Sequence, residues 1–168
     1  MFLVGATQKV LKNLDIKAVP FREGMEEGEM DRWHVNSFKI GRYTCLTMMN
    51  DLTLYCVTIV GVKKKDFLNF QELLVQHVRE SLIAEEIDPE IINSYLEKGK
   101  EMIITNTNNR STLGYLKEVI LSIQYDYPLG RDIAAADIKE INHYNNRFIY
   151  LRSSGYPINL MKEQLEKM

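Results

Sequence analysis

The sequence predicts an α+β protein in which an antiparallel β-meander of three to five strands is packed by several α-helices. Two two-residue turns, Gly41-Arg42 and Asn50-Asp51, separate three stretches of strand-forming residues, and turns of this length join antiparallel strands. Further along the chain, apolar residues recur at helical spacing from Phe67 to about Ala84 and from about Ser111 to Tyr125. No internal repeat or low-complexity linker divides the 168 residues, so we expect a single domain over residues 1–168.

The three meander strands are predicted at Trp33–Ile40, Tyr43–Met49 and Leu52–Val60. Because a two-residue turn fixes which residues face each other, the second turn places Cys45 opposite Cys56, with their Cα atoms about 5.5 Å apart. The other expected pairs are Ile40 with Tyr43, Phe38 with Cys45, His34 with Met49, and Leu54 with Thr47.

Side-chain alternation along these strands leaves both faces of the sheet apolar. One face carries Phe38 and Met49, and the opposite face carries Trp33 and Leu46. A sheet that is apolar on both faces must be covered on both, and the helices that follow are the available cover. The expected core comprises Phe38, Leu46, Leu54, Val57, Ile59, Phe70, Leu74, Val78, Leu113, Leu116, Ile120 and Ile123.

The remaining elements are shorter and are predicted from caps and breakers. Asp88-Pro89 is typical of a helix start, with Asp as N-cap and Pro at the first helical position, and Gly99 ends that helix. The further expectations are a strand at Met1–Val4, a short helix capped by Thr7, a solvated acidic loop at Glu23–Asp31, a strand at Lys100–Thr105, a short helix at Asp137–Asn142, a strand or extended segment at Phe148–Leu151, and a terminal amphipathic helix that presents Ile158, Met161, Leu165 and Met168.

The charge balance is near neutral, with 21 Lys and Arg against 23 Asp and Glu and a formal net charge of −2. Dedicated nucleic-acid binders carry a strong basic excess, so we do not expect nucleic acid as a partner. The apolar run Leu52–Val62 is far shorter than the roughly 20 residues that a membrane span requires, and Met1–Val4 is too short for a signal-peptide core. We therefore expect a cytoplasmic protein with no membrane partner, in which Cys45 and Cys56 are reduced thiols.

Common catalytic fingerprints are absent from the sequence, which has no glycine-rich phosphate loop, no G-x-G-x-x-G, no G-x-S-x-G and no H-E-x-x-H. The three histidines are scattered and the two cysteines lack C-x-x-C spacing, so we expect no metal site and no cofactor. A Cys-His nucleophile pair fails on the predicted register, which leaves His34 about 13 Å along the sheet from Cys45. Both thiols are expected to serve as small apolar side chains of the core.

The polar segment Thr107–Ser111 is the strongest candidate site. It joins a predicted strand to a helix N-terminus, where free N–H groups and the helix dipole favour an anion. In this hypothesis Arg110 faces the anion and Ser111 is the N-cap, with Thr107, Asn108 and Asn109 alongside. The competing interpretation is that Asn108, Asn109 and Ser111 only cap the helix, while Arg110 pairs with a neighbouring carboxylate.

A second polar pair, His34 and Asn36, lies on one face of the first meander strand, within reach of a shared ligand. Its competing interpretation is a hydrogen-bonded pair that satisfies the edge of the sheet. The run Lys63-Lys64-Lys65 permits phosphate contacts, but such a run in a strand-to-helix loop is more often a solvated connection.

Several of these motifs together resemble one protein family. They are Trp33-His34-x-Asn36-x-Phe38, Asn50-Asp51-x-Thr53-Leu54, Gly61-x-Lys63-Lys64-x-Asp66-Phe67, Thr107-x-Asn109-Arg110-Ser111-x-Leu113-Gly114, Asn146-Arg147 and Tyr156-Pro157. In this order they resemble a family of small bacterial proteins known only as a domain of unknown function, over nearly the whole chain. The resemblance implies a free-standing bacterial cytoplasmic domain and brings no activity, substrate or catalytic residue with it.

Three functions remain open. The first is a protein-binding or regulatory module without catalysis, for which eight methionines offer an adaptable surface. The alternative is an enzyme or binding protein for a small ligand or anion, with a polar pocket around His34, Asn36 and Arg110. The third is a nucleic-acid-associated protein that uses Lys63–Lys65, Arg110, Arg147 and Arg152. Convergence of the polar side chains in a concave pocket distinguishes the alternative from the first.

Overall fold

The computed structural model describes residues 1–22, 25, 28–128, 133 and 137–168. Within these residues the chain forms a five-stranded sheet and six α-helices, which confirms the α+β class. The elements are β1 (Phe2–Ala6), α1 (Gln8–Leu14), β2 (Arg32–Ile40), β3 (Tyr43–Asn50), β4 (Cys56–Val60), α2 (Phe70–Ala84), α3 (Pro89–Glu97), β5 (Met102–Asn106), α4 (Arg110–Asp126), α5 (Ile138–Asn145) and α6 (Pro157–Glu166).

The sheet is mixed, with the strand order β4-β3-β2-β1-β5. Strands β2, β3 and β4 form the expected antiparallel meander, whereas β1 pairs parallel with both β2 and β5. The prediction of a purely antiparallel sheet is therefore wrong. Parallel strands are joined by a long crossover connection rather than by a tight turn. The turn residues that predict antiparallel pairs therefore give no signal for the parallel pairs of β1.

The register of the first hairpin is confirmed. Ile40 faces Tyr43, Phe38 faces Cys45, and His34 faces Met49. Gly41 in the turn has a φ of 53°, the left-handed conformation that glycine adopts without steric penalty. The two-residue turn thus sets this pair of strands as the sequence indicates.

The register of the second hairpin is wrong by four residues, because the connection comprises residues 51–55 rather than two residues. The buried Asn50 side chain accepts hydrogen bonds from the N–H groups of Leu52 and Thr53, at 3.2 and 3.1 Å, and so builds a wider loop. Cys56 consequently faces Met49 rather than Cys45. A shift of four residues is even, so every side chain keeps its predicted face.

Both faces of the sheet are covered, as predicted. The Trp33 layer, on one face, packs Trp33, Leu46 and Val57 against α1, α2, α3 and α6. The Phe38 layer, on the other face, packs Phe38 and Met49 against α4 and α5. The predicted core residues are buried, except that Leu113 is only partly buried.

Two asparagines, Asn142 of α5 and Asn146 just after it, cover the outer edge of β4. The Asn146 side chain accepts from Cys56 N–H and donates to Cys56 C=O, both at 2.7 Å. Asn142 likewise accepts from Thr58 N–H at 2.7 Å and donates to Thr58 C=O at 3.4 Å. Four residues of helix rise about 6 Å and two residues of strand about 6.6 Å, so the two spacings match. The amide side chains therefore stand in for a neighbouring strand.

Three local expectations need correction. Of the two alternatives for Phe148–Leu151, a strand or an extended segment, the strand is wrong, and Tyr150 N–H donates to Ser153 Oγ at 3.2 Å. In the acidic segment 23–31, residues 23, 24, 26 and 27 lie outside the described residues. Asp31 is buried rather than solvated, and its carboxylate is paired with the Lys98 ammonium at 2.9 Å. Met168 lies beyond the end of α6 and is 55% exposed, so it does not share the helix's buried stripe.

Candidate functional site

The parallel strands β1, β2 and β5 bring the predicted site residues together where these strands end, at the carboxyl edge of the sheet. Thr7 follows β1, Asn36 lies one residue beyond the last β2 residue paired with β1, and segment 107–109 follows β5. The next helices leave toward opposite faces, since α1 packs in the Trp33 layer and α4 in the Phe38 layer. Ligands of open α/β sheets bind outside the carboxyl ends of strands at this kind of switch point.

His34 is buried at this edge, and both of its ring nitrogens are hydrogen-bonded. The N–H groups of Asn108 and Asn109 point at Nε2, at 3.2 and 3.4 Å. Because Nε2 accepts these bonds, the ring proton is on Nδ1, which donates to the equally buried Asp51 carboxylate at 2.8 Å. His34 therefore ties the β3–β4 loop to the segment before α4.

The absence of a side chain at Gly5 makes room for this imidazole. Gly5 pairs with His34 across β1 and β2, and a Cβ at Gly5 would lie 2.7 Å from both Cδ2 and Nε2 of the ring. That approach is closer than any ordinary van der Waals contact. The position of the ring thus depends on glycine at residue 5.

Asn36 lies on the same strand face as His34 but has different partners. Its Oδ1 accepts from Thr7 Oγ1 and from the backbone N–H of Ser37, both at 2.9 Å. His34 and Asn36 therefore share no hydrogen-bond partner, and each is hydrogen-bonded within the protein. Thr7 uses its hydroxyl here and does not cap α1 with its side chain.

The N-terminus of α4 is capped by Asn109, and the prediction of Ser111 as N-cap is wrong. The Asn109 side chain accepts from Thr112 N–H at 3.1 Å. Ser111 is the second residue of the helix and is exposed, Asn108 is exposed, and Thr107 is partly buried. Arg110 is exposed as well, and its guanidinium makes no hydrogen bond or ion pair within the described part of the chain.

The structure thus brings together His34, Asn108 and Asn109 through direct hydrogen bonds, with Asn36 beside them. Arg110 and Ser111 face solvent. The buried His34 uses both ring nitrogens within the protein, and Asn109 caps α4 as the competing interpretation expects. The carboxylate partner that this interpretation expects for Arg110 is absent within the described residues.

The cysteines are unsuited to nucleophilic chemistry. Cys45 and Cys56 are free, buried and four residues out of register with each other, so the prediction of adjacent thiols is wrong. Burial raises the pKa of the Cys45 thiol and raises the pKa of Cys56 to about 12, which keeps both protonated. His34 shares a cross-strand row with Cys56, but two strand spacings of about 4.8 Å separate them.

A cleft of about 1190 Å³ between α2 and α5 was not predicted. At its base, the buried Glu85 carboxylate accepts two hydrogen bonds from Arg147, at 3.0 and 2.7 Å, and lies 3.5 Å from His143 Nδ1. This carboxylate raises the pKa of the Arg147 guanidinium. Ser81 Oγ lies 2.7 Å from the buried hydroxyl of Tyr55, whose pKa is raised by burial.

A signal for this cleft exists in the sequence. Polar residues recur every four positions along two helices and the residues just after them. They are His77, Ser81 and Glu85 for α2, and Lys139, His143 and Arg147 for α5. Such spacing gives one polar stripe per helix. The sequence does not show that the two stripes face each other. This arrangement results from the packing of α5 on β4 and against α2.

Large apolar side chains are exposed around α5. Ile83 and Tyr144 line the cleft, Tyr144 packs edge-on against Phe148 with ring centroids 4.9 Å apart, and Ile149 follows. Ile149 is 65% exposed and Tyr144 58%. We call the group of Ile83, Tyr144, Phe148 and Ile149 the α5 surface. Contiguous exposed apolar side chains are typical of interaction sites.

The basic residues considered for nucleic acid are partly engaged inside the protein. Arg147 pairs with Glu85, and Arg152 Nη2 donates to Asp51 C=O at 2.7 Å. Lys64 and Lys65 are exposed in the short 3₁₀ helix Lys64–Asn69. Two of these four basic residues are thus hydrogen-bonded within the protein, while Lys64 and Lys65 face solvent.

The protein is thus of the α+β class, with a mixed sheet covered on both faces. Among the described residues, no helix is long and apolar enough to span a bilayer. The same residues contain no cluster of His, Cys, Asp and Glu that could hold a metal ion. The chain belongs to the family described as domain of unknown function DUF6933, whose family model matches residues 3–160. Neither the comparison with curated proteins nor that with solved structures gives a match.

Proposed function

We propose that this protein is a protein-binding or regulatory module without catalysis of its own, and that it binds its partner through the α5 surface. The observation that carries the proposal is the exposure of four large apolar side chains on and beside α5. Ile83 and Tyr144 line the same cleft, Tyr144 packs on Phe148, and Ile149 follows Phe148 in the chain. Leaving such side chains in water forgoes burial energy of about 25 cal/mol per Å². A partner that covers them recovers that energy.

The interior polar groups add support. Of the two side chains that a small-ligand pocket would need, His34 already uses both ring nitrogens and Asn36 its Oδ1 within the protein. A ligand at this position would have to replace these hydrogen bonds, so its net binding energy would be the difference between the new bonds and the lost ones. We further propose, from the family resemblance, that the interaction takes place in a bacterial cytoplasm.

The experiment is quantitative affinity capture from an extract of the host cell with the full chain as bait. We expect Tyr144→Ser/Ile149→Ser to lose proteins that the wild type retains. Leu68→Ser is the matched control, because Leu68 is 85% exposed and lies in the 3₁₀ helix that precedes α2. It is therefore at the opposite end of α2 from Ile83, about 20 Å away at 1.5 Å per helical residue. Equal retention by all three baits, with the melting temperature unchanged, would overturn the proposal.

The second candidate function is anion binding at the start of α4. The observation in its favour is the exposed guanidinium of Arg110, which has no partner within the described residues, beside a helix N-terminus. Titration with inorganic phosphate, followed by amide chemical shifts, tests it. Shifts confined to residues 107–112 that Arg110→Ala abolishes would support this function, and shifts insensitive to Arg110→Ala would exclude it.

A further inference from the structure

We propose that the cleft between α2 and α5 receives a basic amphipathic segment of the partner protein. This inference rests on the proposed function and names the chemistry of the partner. It follows from three properties of the cleft, which are its size, its closed polar floor and its charge.

The size favours a polypeptide over a small molecule. Pockets for small ligands usually enclose about 300–1,000 Å³, and this open cleft has a volume of about 1190 Å³. A groove between two helices is a known seat for an amphipathic helix, which lays its apolar face into the groove. Ile83 on α2 and Tyr144 on α5 are the exposed apolar side chains that such a face would cover.

The floor of the cleft offers few free polar groups. Ser81 bonds with Tyr55, Asn142 bonds with the β4 backbone, and Glu85 is held by Arg147. Each of these side chains is buried and already has a partner. A ligand therefore binds through the apolar walls and the charged rim rather than through the floor.

The charge of the rim selects the partner. Glu80, Asp137 and Glu140 are exposed carboxylates that line the cleft, and Lys139 is the one ammonium among its described lining residues. With Glu85 neutralised by Arg147, the lining residues that the structure describes carry an excess of two negative charges. Glu140 and Tyr144 also line the neighbouring cleft on the other side of α5, where Asp126 adds a further carboxylate. Complementarity therefore calls for Lys or Arg flanking an apolar stripe.

The probe is a synthetic amphipathic helix of Leu and Lys, about 14 residues long so that it forms roughly four turns. Its counterpart replaces every Lys with Glu. Binding of each labelled peptide to the full chain is measured by fluorescence anisotropy at low and at high salt. We expect the Lys peptide to bind, the Glu peptide not to bind, and the affinity of the Lys peptide to fall with salt because the rim charges are exposed.

Two double variants separate the contributions. Glu80→Gln/Glu140→Gln should weaken the Lys peptide by about tenfold or more, and Ile83→Ser/Tyr144→Ser should weaken it similarly. The matched control is Glu101→Gln/Glu166→Gln, which removes two exposed carboxylates outside the cleft and should leave affinity unchanged. Equal weakening by the control, equal binding of the Glu peptide, or no binding of the Lys peptide would overturn the inference.

The failure of this inference is distinguishable from the failure of the proposed function. If extract capture depends on Tyr144 but not on Glu80 and Glu140, the binding module stands and the basic partner is excluded. If capture is independent of the α5 surface while the Lys peptide binds in the cleft, the proposed function fails and the cleft retains its preference for cations.

Discussion

His34 holds two chain segments together that lie far apart in the sequence. Its Nδ1–H donates to Asp51 and its Nε2 accepts from Asn108 and Asn109. A buried hydrogen bond to a charged group contributes about 1.5–3 kcal/mol, and an unsatisfied buried group costs a comparable amount. The sequence indicates His34 and the segment before α4 as two separate candidate sites, and the structure shows that they are hydrogen-bonded to each other.

Gly5→Ala tests this arrangement at the scale of one residue. The added methyl group would lie 2.7 Å from the imidazole, so the ring must shift and its hydrogen bonds must lengthen. We expect a loss of about 1–3 kcal/mol in the free energy of unfolding, the usual range for overpacking. Denaturant unfolding measures it.

Gly114→Ala is the control for this prediction. A Cβ at Gly114 in α4 meets no atom within 4 Å, and replacing a helix-interior glycine by alanine stabilises by up to about 1 kcal/mol. An unchanged free energy of unfolding for Gly5→Ala would show that the ring is not held as described.

At the scale of elements, α5 serves as the cover for the edge strand β4. Unpaired N–H and C=O groups on an edge strand invite pairing with other chains. The side chains of Asn142 and Asn146 satisfy these groups at Thr58 and Cys56. The helix is thereby held at the position from which Tyr144 and Glu140 project around the cleft.

Asn146→Ala tests this role. It leaves the N–H and C=O of Cys56 buried without their partner, so we expect the free energy of unfolding to fall by about 1–3 kcal/mol. The control is Asn159→Ala on α6, where the side chain is exposed and has no hydrogen bond within the described residues. Hydrogen exchange of the Cys56 amide should accelerate in the first variant and not in the second; an amide that stays protected in both would contradict the role.

The two hairpins show where turn chemistry suffices to predict an element. The Gly41-Arg42 turn meets the backbone demand of a tight turn, and its register is correct. At Asn50 the side chain is buried and organises residues 51–55 by its own hydrogen bonds. The residue types Asn-Asp suit both connections, so burial, which the local sequence does not specify, decides between them.

On the scale of the whole molecule, weakly acidic side chains are buried in both layers. Tyr55 and Tyr95 lie in the Trp33 layer and Cys56 in the Phe38 layer. Burial raises the pKa of each, for Cys56 from 9.0 to about 12. The folded protein therefore keeps these protons at pH values where the unfolded chain loses them.

Alkaline pH should accordingly destabilise the fold. Because the folded-state pKa values are raised, the stabilisation is fully present below about pH 9, where the unfolded groups are still protonated, and is lost as the pH rises toward the folded values. Above that onset each group lowers the free energy of unfolding by up to about 1.4 kcal/mol per pH unit. Urea unfolding from pH 7 to 11 measures the decline.

Cys56→Ala should flatten this decline, although it lowers stability at every pH by opening a small cavity. Tyr125→Phe is the control, since the Tyr125 phenol is 85% exposed and its removal should leave the slope unchanged. A slope identical in wild type and Cys56→Ala would show that Cys56 does not contribute to the pH dependence.

Most local elements and the apolar character of both sheet faces are predictable from the sequence. Asp88 caps α3 through its side chain, as predicted. The predicted face of each meander strand residue is also correct, although the register of the second hairpin is wrong by four residues. These features depend on turn chemistry, caps and periodicity, which act between neighbouring residues.

The parallel pairing of β1, the partners of His34 and the cleft between α2 and α5 become evident only when the whole chain is folded. Each of these depends on contacts between residues that are dozens of positions apart. Their free energies depend on which surfaces the whole chain buries together, and no local pattern of residues encodes that choice.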